Sequence, residues 1–272
     1  MKHIKLSLGL VLLAWIISSS CMPYHPVAGK VTTGPVPTFR RPDAVLCDPK
    51  QVIERAIQAR GGEALLKKLQ TASFTGNGLS APQNQVAHFK FRTTSDLPER
   101  IRDESDYEGG IKFVQVVNRD KGWNSIKNDK NLEVKDMDAV NLRYVRELLY
   151  VNQLLTLVPL RESRFTLKPL PDRRLEGVIV QAFVIECKEK PDVTLFVEKE
   201  NGLPLMVKVR ATDPNTYIEK DQETYFMKYA AMQGIQFPKR WVVYNDGNKS
   251  MELNFDEFKL LDKVDDILFA KP

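Results

Sequence analysis

Histidine is scarce in this chain of 272 residues, which carries only His3, His25 and His88. A zinc site built on imidazoles is therefore poorly supplied. His88 has no partner at ligand spacing and reads as a surface residue of a strand. No Gly-x-Ser-x-Gly elbow and no phosphate-cradling glycine loop occurs, so the common hydrolase and nucleotide-binding signatures are missing. The formal net charge is only +5, and the basic residues are scattered, with Arg40-Arg41 and Arg173-Arg174 as mere pairs. A nucleic-acid surface shows a denser basic stripe, so no nucleic-acid partner is expected. Asp103, Glu104, Asp106 and Glu108 crowd ahead of Gly109-Gly110, but their spacing is not that of a calcium loop. They read as a solvated turn, as do Asp262, Asp265 and Asp266. No metal, no cofactor and no catalytic residue is assigned. An enzyme would need carboxylates that meet only in three dimensions.

Cysteine is nearly as rare as histidine: Cys21, Cys47 and Cys187. Lys2 and Lys5 precede an apolar run from Leu6 to Ile17, followed by Ser18-Ser19-Ser20-Cys21. A positive start, a short apolar segment and small residues form an export signal. The run falls short of the roughly 20 residues that a membrane-spanning helix needs. Residues 1–20 are thus expected to be a removable signal peptide. An odd cysteine count in an exported chain asks for one cysteine with a separate fate. Cys21 looks like a lipoprotein acylation site, although Ser18 stands where a branched apolar residue is commoner. Ordinary cleavage nearby, leaving a soluble secreted protein, is the alternative. Cys47 and Cys187 are left either to pair, as an oxidising compartment permits, or to remain separate thiols. Met22 lacks the aspartate that retains many lipoproteins at the inner membrane, and by that analogy an acylated chain goes to the periplasmic side of the outer membrane.

Residues 21–46 form a tether: Pro23, Pro26, Pro35, Pro37 and Pro42 leave no apolar period. Folded structure is expected from 47 to 272, opening on an Asp48 helix cap with Pro49 in the first turn. Val52, Ile53, Ala56 and Ile57 share one helical face, Gly61-Gly62 ends that helix, and Leu65, Leu66 and Leu69 mark a second. Ala87, Phe89 and Phe91 alternate with polar residues as a one-sided strand does. Further strands are expected at 111–117, 123–127 and 132–134. Asp138 begins a helix running to Val158 and stopped by Pro159, apolar over more than one stripe and hence buried on several sides. From Phe165 strands resume, at 178–187, 193–198, 204–210, 222–229, 235–244 and 250–260, with Asn201-Gly202 and Asp246-Gly247 as hairpin turns. The fold class expected is α+β: a strongly curved antiparallel sheet, a half-barrel, packed on helices with one long helix in mid-chain.

Three stretches carry a family resemblance. Asn201-Gly202-Leu203-Pro204 opens a hairpin after a strand, Gly234-Ile235-Gln236-Phe237-Pro238 leads into a late strand, and the chain closes from Phe255 through an aspartate-rich turn to Phe269 and Pro272. In this order they resemble the lipoprotein-carrier superfamily of the LolA, LolB and RseB type. The resemblance implies an apolar cavity for acyl chains, walled or lidded by the 138–158 helix. Leu148, Leu149 and Leu155 on that helix and Phe89, Phe91, Phe226 and Trp241 on strands would line it, although a filled core would use the same residues. The implied partner is an acyl chain or a lipidated protein, bound without covalent chemistry in envelope lipid or lipoprotein handling, with the membrane reached through the N-terminal lipid. The alternative is an envelope sensor or scaffold with a filled core that presents its sheet to a protein partner.

Overall fold

The computed structural model describes residues 46–81, 86–213 and 217–272. The expected signal peptide, Cys21 and all of the tether but Leu46 lie outside the described residues. Two short helices come first, α1 (Pro49–Ala59) and α2 (Glu63–Lys68). Asp48 accepts from the amide of Lys50 at 3.0 Å, as a helix cap should. Gly61 and Gly62 take positive φ to turn the chain into α2. At Gly61 glycine is also required by space, because a Cβ there would lie 2.5 Å from the carbonyl oxygen of Gly234.

Thirteen strands follow, in two runs. The first holds β1 (Thr71–Ser80), β2 (Ala87–Asp96), β3 (Arg100–Tyr107), β4 (Ile111–Asn118), β5 (Lys121–Lys127) and β6 (Leu132–Asp136). The second holds β7 (Thr166–Leu175), β8 (Val178–Glu186), β9 (Val193–Glu198), β10 (Pro204–Thr212), β11 (Glu219–Met232), β12 (Ile235–Asn245) and β13 (Asn248–Leu260). Each run is an antiparallel meander, and β1 pairs with β13, so all strands form one open sheet in the order 6-5-4-3-2-1-13-12-11-10-9-8-7. The two strands that flank the mid-chain crossover, β6 and β7, are the two edges. Pro169 and Pro171 sit in β7, where an edge tolerates a missing donor.

The crossover carries helix α3 (Ala139–Leu154), capped by Asp138, which accepts from the amide of Asn141 at 2.8 Å. This helix is shorter than expected. It ends at Leu154, Leu157 takes φ 68°, and Pro159 stands inside a separate 3-10 turn at Val158–Arg161 instead of stopping α3. Because α3 must link opposite edges, it crosses one face of the sheet. Val145 and Leu149 of α3 share an apolar cluster with Phe113 and Val117 of β4 and Ala211 of β10. Those two strands stand seven places apart in the sheet, about 34 Å if it were flat, so the sheet bends around the helix.

The rest of the covered face divides into two halves. Beneath β8–β10 it is filled: Val52, Ile53, Ala56 and Ile57 of α1 and Leu66 of α2 pack with Phe183, Ile185, Leu195, Val197 and Val207. Each such large side chain contributes about 1.5–3 kcal/mol on burial. Beneath β1, β2, β12 and β13 a second cluster is aromatic, built on Phe89, Phe91, Phe237 and Phe255. On the opposite face a 3-10 turn at Asp266–Phe269 covers Trp123, Val114 and Val116 with Phe269. Cys47 and Cys187 are both free thiols, so of the two readings left open for them, separate thiols is the one the structure gives.

Candidate functional site

Between the aromatic cluster and α3 the covered face leaves a cavity of about 280 Å3. That is almost twice the roughly 150 Å3 of an apolar cavity that stays dry and takes up benzene. Its lining brings together Phe89 and Phe91 from β2, Leu148 and Leu149 from α3, Leu155 at its end, Phe226 from β11 and Trp241 from β12.

The aromatic wall is rigid because its rings support one another. Phe237 stacks with Phe258 at 5.3 Å between ring centres and meets Phe255 edge-on at 5.2 Å. Trp241 meets Phe226 edge-on at 5.3 Å. Such pairs are worth about 0.5–1.5 kcal/mol beyond their burial. Two glycines set the floor beneath this wall. Phe91 faces Gly76 and Phe89 faces Gly78 across the β1–β2 pair. A Cβ at Gly76 would stand 2.8 Å from the Phe91 ring, and one at Gly78 2.4 Å from the Phe89 ring. The rings therefore lie down on bare backbone and leave the space above them empty. The Trp241 indole N–H, also buried, has no hydrogen-bond partner among the described residues.

Three charged residues, Arg60, Asp103 and Glu104, border this apolar space. Arg60, at the end of α1, is 4% exposed. Its Nη1 donates to the carbonyl of Leu155 at 2.6 Å and its Nε to that of Gln236 at 3.3 Å. It has no carboxylate partner among the described residues, and burial lowers its pKa. One guanidinium thus ties together the ends of α1 and α3 and the start of β12. Asp103 is the second. It lies within β3, together with Glu104 and Asp106, so the acidic stretch is strand and not the solvated turn expected; only Glu108 falls in the turn. Both acids line the cavity, but the Glu104 carboxylate is paired with Arg102 at 2.6 Å and Lys112 at 3.1 Å, while that of Asp103 accepts from Thr93 Oγ1 at 2.6 Å. Burial pushes the Asp103 carboxyl up to about 6, and the Thr93 hydrogen bond only partly offsets it.

Phe74, Phe237 and Phe255, which were not among the expected residues, also line the cavity. Alternation could have found Phe237 and Phe255, on strands that were expected. It could not have found Phe74, because the glycines of β1 hid that strand. Asp103 carried a signal too, since Arg102, Glu104 and Asp106 alternate with it. Among the described residues no group of three or more metal-ligating side chains comes together, and no helix is long and apolar enough to cross a membrane.

An open antiparallel sheet bent round a crossover helix, with an aromatic hollow between them, defines a class of fold. No protein-family model matches the sequence, and no curated protein matches it. Solved structures do match. A LolA superfamily protein from Nitrosomonas europaea aligns with a TM-score of 0.51 at 12% identity, over 82% of this chain and 97% of its own. A DUF1329 family protein from Desulfovibrio piger aligns with a TM-score of 0.52 at 10% identity, over 81% of this chain and 96% of its own. The chain has a fold of the LolA, LolB and RseB type.

Proposed function

We propose that this chain is an exported binding protein, tethered to the cell envelope through an acylated Cys21, whose half-barrel holds an acyl chain or the lipid of a lipidated protein beneath α3. The single observation that carries this reading is the hollow itself, bounded by Phe89, Phe91, Leu148, Leu149, Leu155, Phe226 and Trp241. An unfilled apolar space loses dispersion contacts along its whole lining, and filling it with methylenes recovers about 0.8 kcal/mol for each one buried. The void counts against the alternative of a sensor with a filled core. In this reading residues 1–20 are the signal, 21–46 a spacer and 47–272 the binding domain, on the periplasmic side of a membrane, with the outer membrane favoured. The chain acts by binding, without a cofactor and without catalysis.

The test is mass spectrometry of an organic extract of the mature chain, exported behind a cleavable signal with Cys21→Ser so that it stays free of membrane. A stoichiometric lipid is expected, and Leu149→Arg, which puts a charge into the cavity wall, should abolish it while circular dichroism stays unchanged. A clean extract, together with failure to take up added acyl ligands, would overturn the reading.

A further inference from the structure

The cavity is not apolar all round. Strand register places Thr93, Asp103, Gln115 and Asn124 side by side on four successive strands, β2 to β5. The rows on either side hold Phe91, Ser105 and Phe113, and Ser95, Ile101 and Val117. One polar stripe thus crosses a mainly apolar wall, and Thr93, Asp103 and Gln115 all line the cavity.

The hydrogen bonding within the stripe has a direction. Thr93 donates to one oxygen of Asp103, and Gln115 donates its amide to Asn124 Oδ1 at 3.4 Å. Among the described residues the second Asp103 oxygen and the Gln115 carbonyl oxygen accept nothing. The stripe therefore turns unused acceptors, one of them a carboxylate, toward the hollow. A plain alkyl chain would leave both unpaired, and a buried acceptor without a donor costs about 1–3 kcal/mol.

Resting on the acyl-chain reading above, we propose that the natural occupant carries a protonated amine on its apolar chain, and that Asp103, with Gln115 beside it, is the group that selects for it. Among the described residues no cation competes for this role. From β2 Asp103 is faced by Thr93 and from β4 by Gln115, neither titratable in this range, and α3 contributes Val145, Leu148 and Leu149 to the cavity. Glu104 is held by Arg102 and Lys112, and the Arg60 guanidinium is taken up by two carbonyls. An ammonium brings both the missing charge and the missing donors.

Dodecylamine, dodecanol and dodecanoate are the probes, added to the mature chain carrying Cys21→Ser and Trp123→Phe so that Trp241 reports occupancy. Dodecylamine should bind about tenfold more tightly than dodecanol at pH 7.5, with dodecanoate weakest. That advantage should shrink about tenfold on going to pH 5, as the Asp103 carboxylate takes up its proton. The isosteric Asp103→Asn should bind amine and alcohol alike. Thr93→Val should keep the preference while moving its pH midpoint upward, because the hydroxyl that holds the carboxyl down is gone. Equal binding of amine and alcohol by the unmodified cavity, or an amine preference that survives Asp103→Asn in a folded protein, overturns this proposal alone. Failure of all three probes to bind overturns the cavity reading with it.

Discussion

At the scale of single residues, Asp103 makes stability depend on pH in an unusual direction. Its carboxyl titrates near 6 in the folded chain, above its ordinary value of 3.8. Below both values it is neutral in either state and burial costs little. As pH rises through the window from about 4 to 6, the unfolded chain ionises first, so stability is lost over that window and stays lost above it. Asp103→Asn should therefore stabilise the protein at pH 7.5 by on the order of 2 kcal/mol and remove this slope. Urea unfolding at pH 4, 5, 6 and 7.5 checks it; parallel curves for the two proteins would show that the carboxyl is not buried. Gly78 is a second lever. A Cβ there meets the Phe89 ring at 2.4 Å, so Gly78→Val should lower stability by about 1–3 kcal/mol through overpacking and tilt Phe89 into the cavity. Thermal melts would register the first effect and weakened uptake of dodecanol the second.

At the scale of elements, α3 is held at its end by the Arg60 hydrogen bond to Leu155. Arg60→Leu would keep the apolar stem and leave the carbonyls of Leu155 and Gln236 without their donor, at about 1–3 kcal/mol for each buried group. Hydrogen exchange should rise over residues 151–157 before it rises over β8–β10; uniform protection across both would refute this role for Arg60. The same elements show what the sequence made legible. Helix α1 was plain because a cap, a proline and an apolar face all agreed, and β9, β12 and β13 were legible as apolar runs next to the Asn201-Gly202 and Asp246-Gly247 turns. β1 escaped because Gly76 and Gly78 read as turn residues, when they are there to receive two aromatic rings from the neighbouring strand. β3 escaped because its acids read as solvent-seeking, although alternation turns Asp103 inward while Glu104 and Asp106 face the other way. The end of α3 was misplaced because Pro159 is an obvious stop, whereas the actual stop, Leu157 with positive φ, has no signature in its side chain. The seven cavity residues were nameable as apolar residues of the right elements. That they bound a void instead of filling it depends on ring orientation, which no periodicity encodes.

At the scale of the whole molecule, the sheet is two meanders joined along one seam. Ala72 of β1 pairs with Leu260 of β13, so the seam closes only when nearly the entire described chain is in place. Deleting Asn248–Leu260 would leave β1–β6 and β7–β12 as separate ribbons with two new open edges, which invite aggregation. Such a chain should show no cooperative thermal transition by circular dichroism; a sharp melt would mean that one meander folds alone. Contacts this distant in sequence also place the protein among slow folders.

The crossover has one more consequence. Every strand in the sheet takes its ladder partners from other strands, and α3 supplies none of them. Its fastenings are of another kind: the Arg60 bond at its end, the Gln222 amide on the Tyr144 hydroxyl at 3.3 Å, and apolar contact. The helix is a strap laid over the frame, with its inner face buried in two of the frame's apolar clusters. Loosening the strap breaks none of the frame's ladder bonds, so α3 and the sheet should lose hydrogen-exchange protection separately.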